Sequence, residues 1–171
     1  MSERKGKVTM GGNPLTLTGQ EVKEGDKAPE FKAVTNEMGE FKLSDLKDKT
    51  VVISSVPSLD TGVCSKQTQR FNDEAKTMGN DVEVVTVSMD LPFAQKRWID
   101  EHDVKDVTIV SDHKDAEFGE KYGMLLKEPR LLARGVFIVG KDGTIKYHQL
   151  VGEISEHPDY DEVLDKLKEL Q

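Results

Sequence analysis

The 171-residue chain contains a single cysteine, Cys64. No disulfide can close within the molecule, and a C-x-x-C redox pair or a cysteine-based zinc site is excluded by count. Long apolar runs are also missing. Nothing approaches the roughly 20 residues of a membrane span, and the opening Met1-Ser-Glu-Arg-Lys-Gly-Lys lacks the apolar segment of a secretory signal. A soluble, cytoplasmic protein with no membrane partner is expected. Positive charge is in deficit, with 24 Lys and Arg against 32 Asp and Glu and a net charge of -8. That balance argues against nucleic acid as a partner, because phosphate backbones are bound by clustered cations. His102, His113, His148 and His157 show no metal-ligand spacing and read as surface or capping residues, so neither metal nor cofactor is expected.

Nothing resembles a boundary between domains, and one domain over residues 1–171 is expected. "KVTM" and "PLTLTG" alternate around "GGN" and predict an N-terminal hairpin within residues 1–18, an appended ribbon. "FKAVTN" and "EFKLSDL" predict a second hairpin turning at Met38-Gly39, then a short helix capped by Ser44. "TVVISSV" and "DVEVVTVSM" read as buried strands, being β-branched and almost continuously apolar. Between them a helix is predicted from Thr61 or Gly62 to about Met78, with Val63, Thr68, Phe71 and Ala75 near one face. "PFAQKRWIDEH" and "AEFGEKYG" read as helices, "VTIV", "RGVFIVG" and "TIKYHQLVG" as strands. "YDEVLDKLKEL" closes the chain as an amphipathic helix, with Val163, Leu164, Leu167 and Leu170 inward. The class is α/β, a mixed sheet with helices on its faces.

Cys64 follows a buried strand and opens a helix, where unpaired N–H groups and the helix dipole stabilise an anion. A thiolate is the nucleophilic form of cysteine, and helix N-termini are among the settings that favour it. Thr61, three residues earlier, brings a hydroxyl within reach of the sulfur, and Pro57 stiffens the approach and shields it from water. Position alone leaves two readings open, a reactive thiol or a small buried side chain.

Pro57, Thr61 and Cys64 match the P-x-x-x-T-x-x-C signature of peroxiredoxins, and "PSLDTGVC" resembles the atypical thiol peroxidase group of that family. The stretches "VTMGGNPLTLTG", "LSDLK", "DLPFAQKRW", "SDHKDAEFGEKYG", "RLLARGVFIV" and "HPDYDEVL" are similar to their counterparts in the group, so the resemblance covers essentially the whole chain. It implies a thioredoxin fold of peroxiredoxin type with an added N-terminal hairpin, and a homodimer. It further implies that Cys64 attacks a hydroperoxide and becomes a sulfenic acid. By the same resemblance Thr61 supplies a hydroxyl and Arg134 of "RLLAR" the cation at the reacting atoms; Arg130 has no matching role and reads as surface. Pro92 and Phe93 line an apolar entrance for alkyl hydroperoxides or belong to the core, and Trp98 shares that ambiguity.

Members of the group carry a second, resolving cysteine in the helix after "FAQ"; here that position is Ile99. The sulfenic acid therefore needs an external thiol, and thioredoxin or a small thiol is the expected reductant. Pairing of two Cys64 residues between subunits is a further route. The leading expectation is a one-cysteine peroxidase for hydrogen peroxide and organic hydroperoxides, and the alternative is a redox sensor or scaffold that oxidises without efficient turnover. A thiol–disulfide oxidoreductase is disfavoured, since such enzymes use paired cysteines.

Overall fold

The computed structural model describes residues 2–171; Met1, the first residue of the expected domain and hairpin, lies outside them. In chain order the chain forms β1 (Glu3–Met10), β2 (Asn13–Thr18), β3 (Lys32–Val34), β4 (Glu40–Lys42), a 3-10 turn over Leu43–Leu46, β5 (Thr50–Ser55) and α1 (Gly62–Ala75). There follow β6 (Val82–Ser88), α2 (Pro92–His102), β7 (Thr108–Ser111), α3 (Glu117–Tyr122), β8 (Leu125–Leu126) and β9 (Leu131–Leu132). Then β10 (Gly135–Val139), β11 (Ile145–Leu150) and α4 (Tyr160–Glu169) complete the chain.

The main sheet runs β11-β10-β5-β6-β7-β3-β4. Its centre, β5, β6 and β7, is parallel, and the outer strands are antiparallel to their neighbours. The near-continuous apolar runs follow from burial on both faces. Val51, Ile53, Val85, Val87, Phe137 and Val139 enter one core, whereas the alternate residues Val52, Val84, Val136 and Ile138 enter another, beneath α1 and α4. Helix α4 contributes Val163 and Leu167 in full and Leu164 and Leu170 in part to that second core, as its periodicity predicts.

The N-terminal hairpin is more than a ribbon. Gly11 and Gly12 turn it at φ +57° and +84°, and β2 then pairs with β8, which pairs with β9. The result is a second sheet in the order β1-β2-β8-β9. Two-residue strands such as β8 and β9 are too short to leave a periodic signal. The ribbon rejoins the body at Gly19, whose φ is +105° and where a Cβ would stand 2.3 Å from the Glu120 carbonyl oxygen.

Four local expectations are corrected. Helix α1 ends at Ala75, and its buried face is Cys64, Gln67, Thr68, Phe71 and Asn72, with Val63 and Ala75 only half-buried. Cys64 and Gln67 of that face belong to the site described below. Ser44 does not cap the 3-10 turn; Lys42 occupies the cap, and its N–H donates to the Asp45 carboxylate. Arg134 lies just ahead of β10, outside the strand. Among the histidines, His148 is not a surface residue, since its ring stacks on Phe137 at 4.1 Å.

Burial, with Arg4 nearby and only partly offset by Glu21, pushes His148 down to about 4 from an ordinary 6.5. The folded chain therefore binds fewer protons at this site than the unfolded chain, and its stability falls as pH drops from 6.5 towards 4. Buried Asp112, pushed up to about 6 by desolvation, works in the opposite sense and gains stability as pH falls through that value. His148→Gln isolates the histidine contribution. Denaturant titrations are expected to show the variant losing less stability than the parent between pH 6.5 and 4, with a constant difference above that window. Gly19→Ala is expected to cost about 2 kcal/mol or more in the same titrations, since the backbone contact with Glu120 must open in a disfavoured conformation.

Candidate active site

The serines of the central strands collect at their C-terminal ends, the edge at which open α/β sheets place their sites. Ser54 and Ser55 end β5, Ser88 ends β6 and Ser111 ends β7, all buried. Each fixes a neighbouring segment. Ser55 Oγ donates to the Ala133 carbonyl at 2.7 Å, next to Arg134, and Ser88 Oγ donates to the Asp90 carboxylate at 2.8 Å. Asp90 in turn accepts from Ser58 Oγ at 2.7 Å and from the Leu59 N–H at 2.8 Å. The loop between β5 and α1 is thereby pinned at its middle, and its exit into the helix is set.

Cys64 lies in the first turn of α1 and is wholly buried, packed with Val56, Leu59, Trp98, Val104 and Ile109. No partner among the described residues takes the N–H of Gly62, Val63 or Cys64, and Thr61, the cap residue, offers no side-chain bond to them. Three backbone donors thus remain free beside the sulfur, at the positive end of a helix macrodipole.

Among the described residues one side chain hydrogen-bonds to the sulfur. Arg134 Nη2 stands 3.2 Å from Cys64 Sγ. The guanidinium is 2 % exposed, and its other bonds go to neutral acceptors: Nε at 3.1 Å and Nη2 at 2.7 Å to the Ile154 carbonyl, Nη1 at 2.9 Å to Gln67 Oε1. No carboxylate among the described residues pairs with it. A buried cation without a counter-charge is costly, by several kcal/mol in real proteins. Among the described residues the thiol is the one ionisable group hydrogen-bonded to it, and a thiolate there would supply the missing charge.

Gln67 holds this arrangement from the helix side. Fully buried, it accepts from Arg134, whose donor-only guanidinium fixes which end of the amide faces it, and donates Nε2 to Ser54 Oγ at 2.8 Å. Sequence reading passed over it, although its place three residues after Cys64 puts both on one helical face. Asp90 and Ile154 were likewise missed; Ile154 acts through its carbonyl, which no side chain announces.

The remaining expected residues are placed as follows. Pro57 is buried in the loop entering the site. Thr61 is exposed, and its hydroxyl donates to the Ser58 carbonyl at 3.0 Å, not to the sulfur, which closes the turn that starts α1. Pro92 is buried in the first turn of α2, whereas Phe93 is 68 % exposed and so is no core residue. Trp98 is core: it packs in the Cys64 cluster, donates Nε1 to Ser65 Oγ at 3.1 Å and stacks on His102. Ile99 packs against that same cluster, so the position of the absent second cysteine is filled by apolar contact. Arg130 is exposed, as expected.

Comparison with known proteins agrees with this architecture. The Redoxin family profile matches residues 23–164. The thiol peroxidase of Oceanobacillus iheyensis is 51% identical over 160 residues, 94% of this chain and 97% of its own, and that of Bacillus subtilis is 48% identical over 163 residues, 95% and 97%. The crystal structure of a peroxiredoxin-like protein from Aquifex aeolicus superposes with a TM-score of 0.91 at 46% identity, covering 98% of this chain and 99% of that one. A thiol peroxidase from Chromobacterium violaceum superposes with a TM-score of 0.84 at 18% identity over 95% of each chain, a likeness of fold alone. The mixed sheet with flanking helices and an added hairpin is thus the thioredoxin fold of peroxiredoxins, and the chain belongs to the Redoxin family.

Proposed function

We propose that this chain is a one-cysteine thiol peroxidase that reduces hydrogen peroxide and organic hydroperoxides. The observation that carries the reading is the buried, carboxylate-free guanidinium of Arg134 at 3.2 Å from Cys64 Sγ. Such a cation stabilises both the thiolate and the negative charge that spreads along the S–O–O line during attack. The free N–H groups at the start of α1 are donors for the peroxide oxygens, and Thr61, once a substrate displaces its bond to Ser58, adds a hydroxyl at the same edge.

In the first step the Cys64 thiolate attacks the terminal oxygen of the hydroperoxide. An S–O bond forms, the O–O bond breaks, and the departing oxygen takes a proton to leave as water or alcohol. The cysteine sulfur is oxidised to the sulfenic acid and the peroxide is reduced. With Ile99 in place of a second thiol, regeneration proceeds through an external thiol. Its sulfur displaces water from the sulfenic acid to give a mixed disulfide, and a second thiol releases Cys64. Small thiols fit this route directly; thioredoxin acts at the mixed-disulfide stage.

Further features support the wider reading. The described residues contain no helix long and apolar enough to cross a membrane, and a lone functional thiol suits the reducing conditions of a cytoplasm. Met38, Leu91 and Phe93 are exposed, and a bond from Asn36 to Gln95 ties the β3–β4 turn to α2, which favours a homodimer through this side. Pro57, Pro92 and Phe93 are assigned to shielding the sulfur and to an apolar approach. Residues 1–171 are taken as one working domain. The enclosed sulfur and the apolar residue at position 99 favour one second reading, a redox sensor whose Cys64 oxidises once; sustained turnover with dithiothreitol separates the two.

Peroxide consumption with dithiothreitol as reductant tests the proposal. Cys64→Ser is expected to abolish it and Arg134→Met to slow Cys64 oxidation by about a hundredfold, the scale of losing one charge-stabilising group. An Arg134→Met enzyme with the parent rate would remove the electrophilic assignment. At high peroxide, activity is expected to decay as the sulfenic acid, with no neighbouring thiol, takes a second oxygen to become sulfinic acid. Mass spectrometry of the spent enzyme checks this, and an unmodified Cys64 after many undiminished turnovers would contradict it.

A further inference from the structure

The bond from Arg134 to Ile154 draws the N-terminal hairpin into the site. The Ile154 carbonyl accepts from two nitrogens of the guanidinium, so the position of that oxygen decides where Nη2 lies relative to the sulfur. It belongs to the segment after β11, which is held against β1 by a short parallel bridge between Thr9 and Glu153. The Thr9 N–H donates to the Gly152 carbonyl at 2.7 Å, and the Ile154 N–H donates to the Thr9 carbonyl at 2.8 Å.

Glu153 locks that bridge. One carboxylate oxygen accepts from Thr9 Oγ1 and from the Gly12 N–H, each at 2.9 Å, which grips both the strand and the tip of the hairpin. The other accepts from the N–H and hydroxyl of Ser155, at 2.9 and 2.7 Å, which fixes the residue just past Ile154. Four donors on one carboxylate hold it well below the usual carboxylate range, at about 2, so the grip persists across ordinary pH. The side chain of Ile154 meanwhile packs in the core that contains Val8 and Leu15 of the hairpin.

Building on the peroxidase reading, we propose that Glu153 is a positioning residue for Arg134, and that the N-terminal hairpin braces the catalytic cation through the Ile154 carbonyl. Its reach to the reacting sulfur runs from the hairpin to Glu153, along the backbone to Ile154, across to Arg134 and so to Cys64.

The test is a double-mutant cycle read as the rate of Cys64 oxidation by cumene hydroperoxide, quenched by alkylation and scored by intact mass. Glu153→Ala is expected to slow oxidation at least tenfold. Glu153→Gln is expected to recover part of the rate, because its amide oxygen still accepts from Thr9 and Gly12 while its Nε2 can no longer accept from the Ser155 N–H. In the Arg134→Met background Glu153→Ala is expected to change the rate less than twofold, whereas a general loss of structure would add its full effect there. Thr9→Val, which removes one bond to Glu153 and leaves the backbone bridge, provides a milder variant in case Glu153→Ala fails to fold; its smaller loss must also vanish without Arg134. A Glu153→Ala rate within twofold of the parent, or a full additional loss on top of Arg134→Met, would overturn the inference while leaving the peroxidase reading intact. Failure of the parent protein to oxidise at all would overturn that reading and this one with it.

Discussion

A guanidinium buried without a carboxylate is the constraint around which this molecule is organised. Arg134 is satisfied only by neutral oxygens and a sulfur. Left beside a neutral thiol, the cation would carry an uncompensated desolvation cost. In the proposed mechanism a thiolate at Cys64 would relieve that cost, and the same field would be retained as negative charge moves from sulfur to oxygen during attack. That is the sense in which the arrangement suits the proposed reaction, and the free N–H groups of the first turn of α1 offer it further donors.

The fold serves this pair from three sides. The main sheet delivers Ser54 and Ser55, one to orient Gln67 and the other to hold the segment that carries Arg134. Asp90, beyond the adjacent parallel strand, fixes the loop that launches the helix. The small second sheet then borders the site through the backbone around Gly152 to Ile154. Apolar packing sets the general frame, while a few buried hydroxyls and amides place the polar groups of the site within it.

Much of this was legible in the chain itself. Alternation and continuous apolar runs located β5, β6 and β10, the proline in "LPFAQ" marked the start of α2, and the heptad-like spacing of α4 named its buried face. The signature around Cys64 and the arginine of "RLLAR" singled out two residues far apart in the chain, and the fold places them 3.2 Å apart. What escaped was of two kinds. β8 and β9 are two residues each, paired with one another and, through β8, with the sequence-distant β2, so no local pattern announces them. Gln67, Asp90 and Ile154 act by hydrogen bonds whose partners are brought together by tertiary structure, in one case through a carbonyl that every residue possesses. His148 escaped because a histidine on the alternating strand β11 reads as outward until Phe137 is seen beneath it.

The most direct test of the central claim is the intact mass of the protein after one equivalent of an organic hydroperoxide, before and after an excess of small thiol. The account predicts rapid gain of one oxygen at Cys64, fully removed by the thiol. A mass unchanged over minutes would contradict it, and would mean that the buried cation stabilises the fold without activating the sulfur.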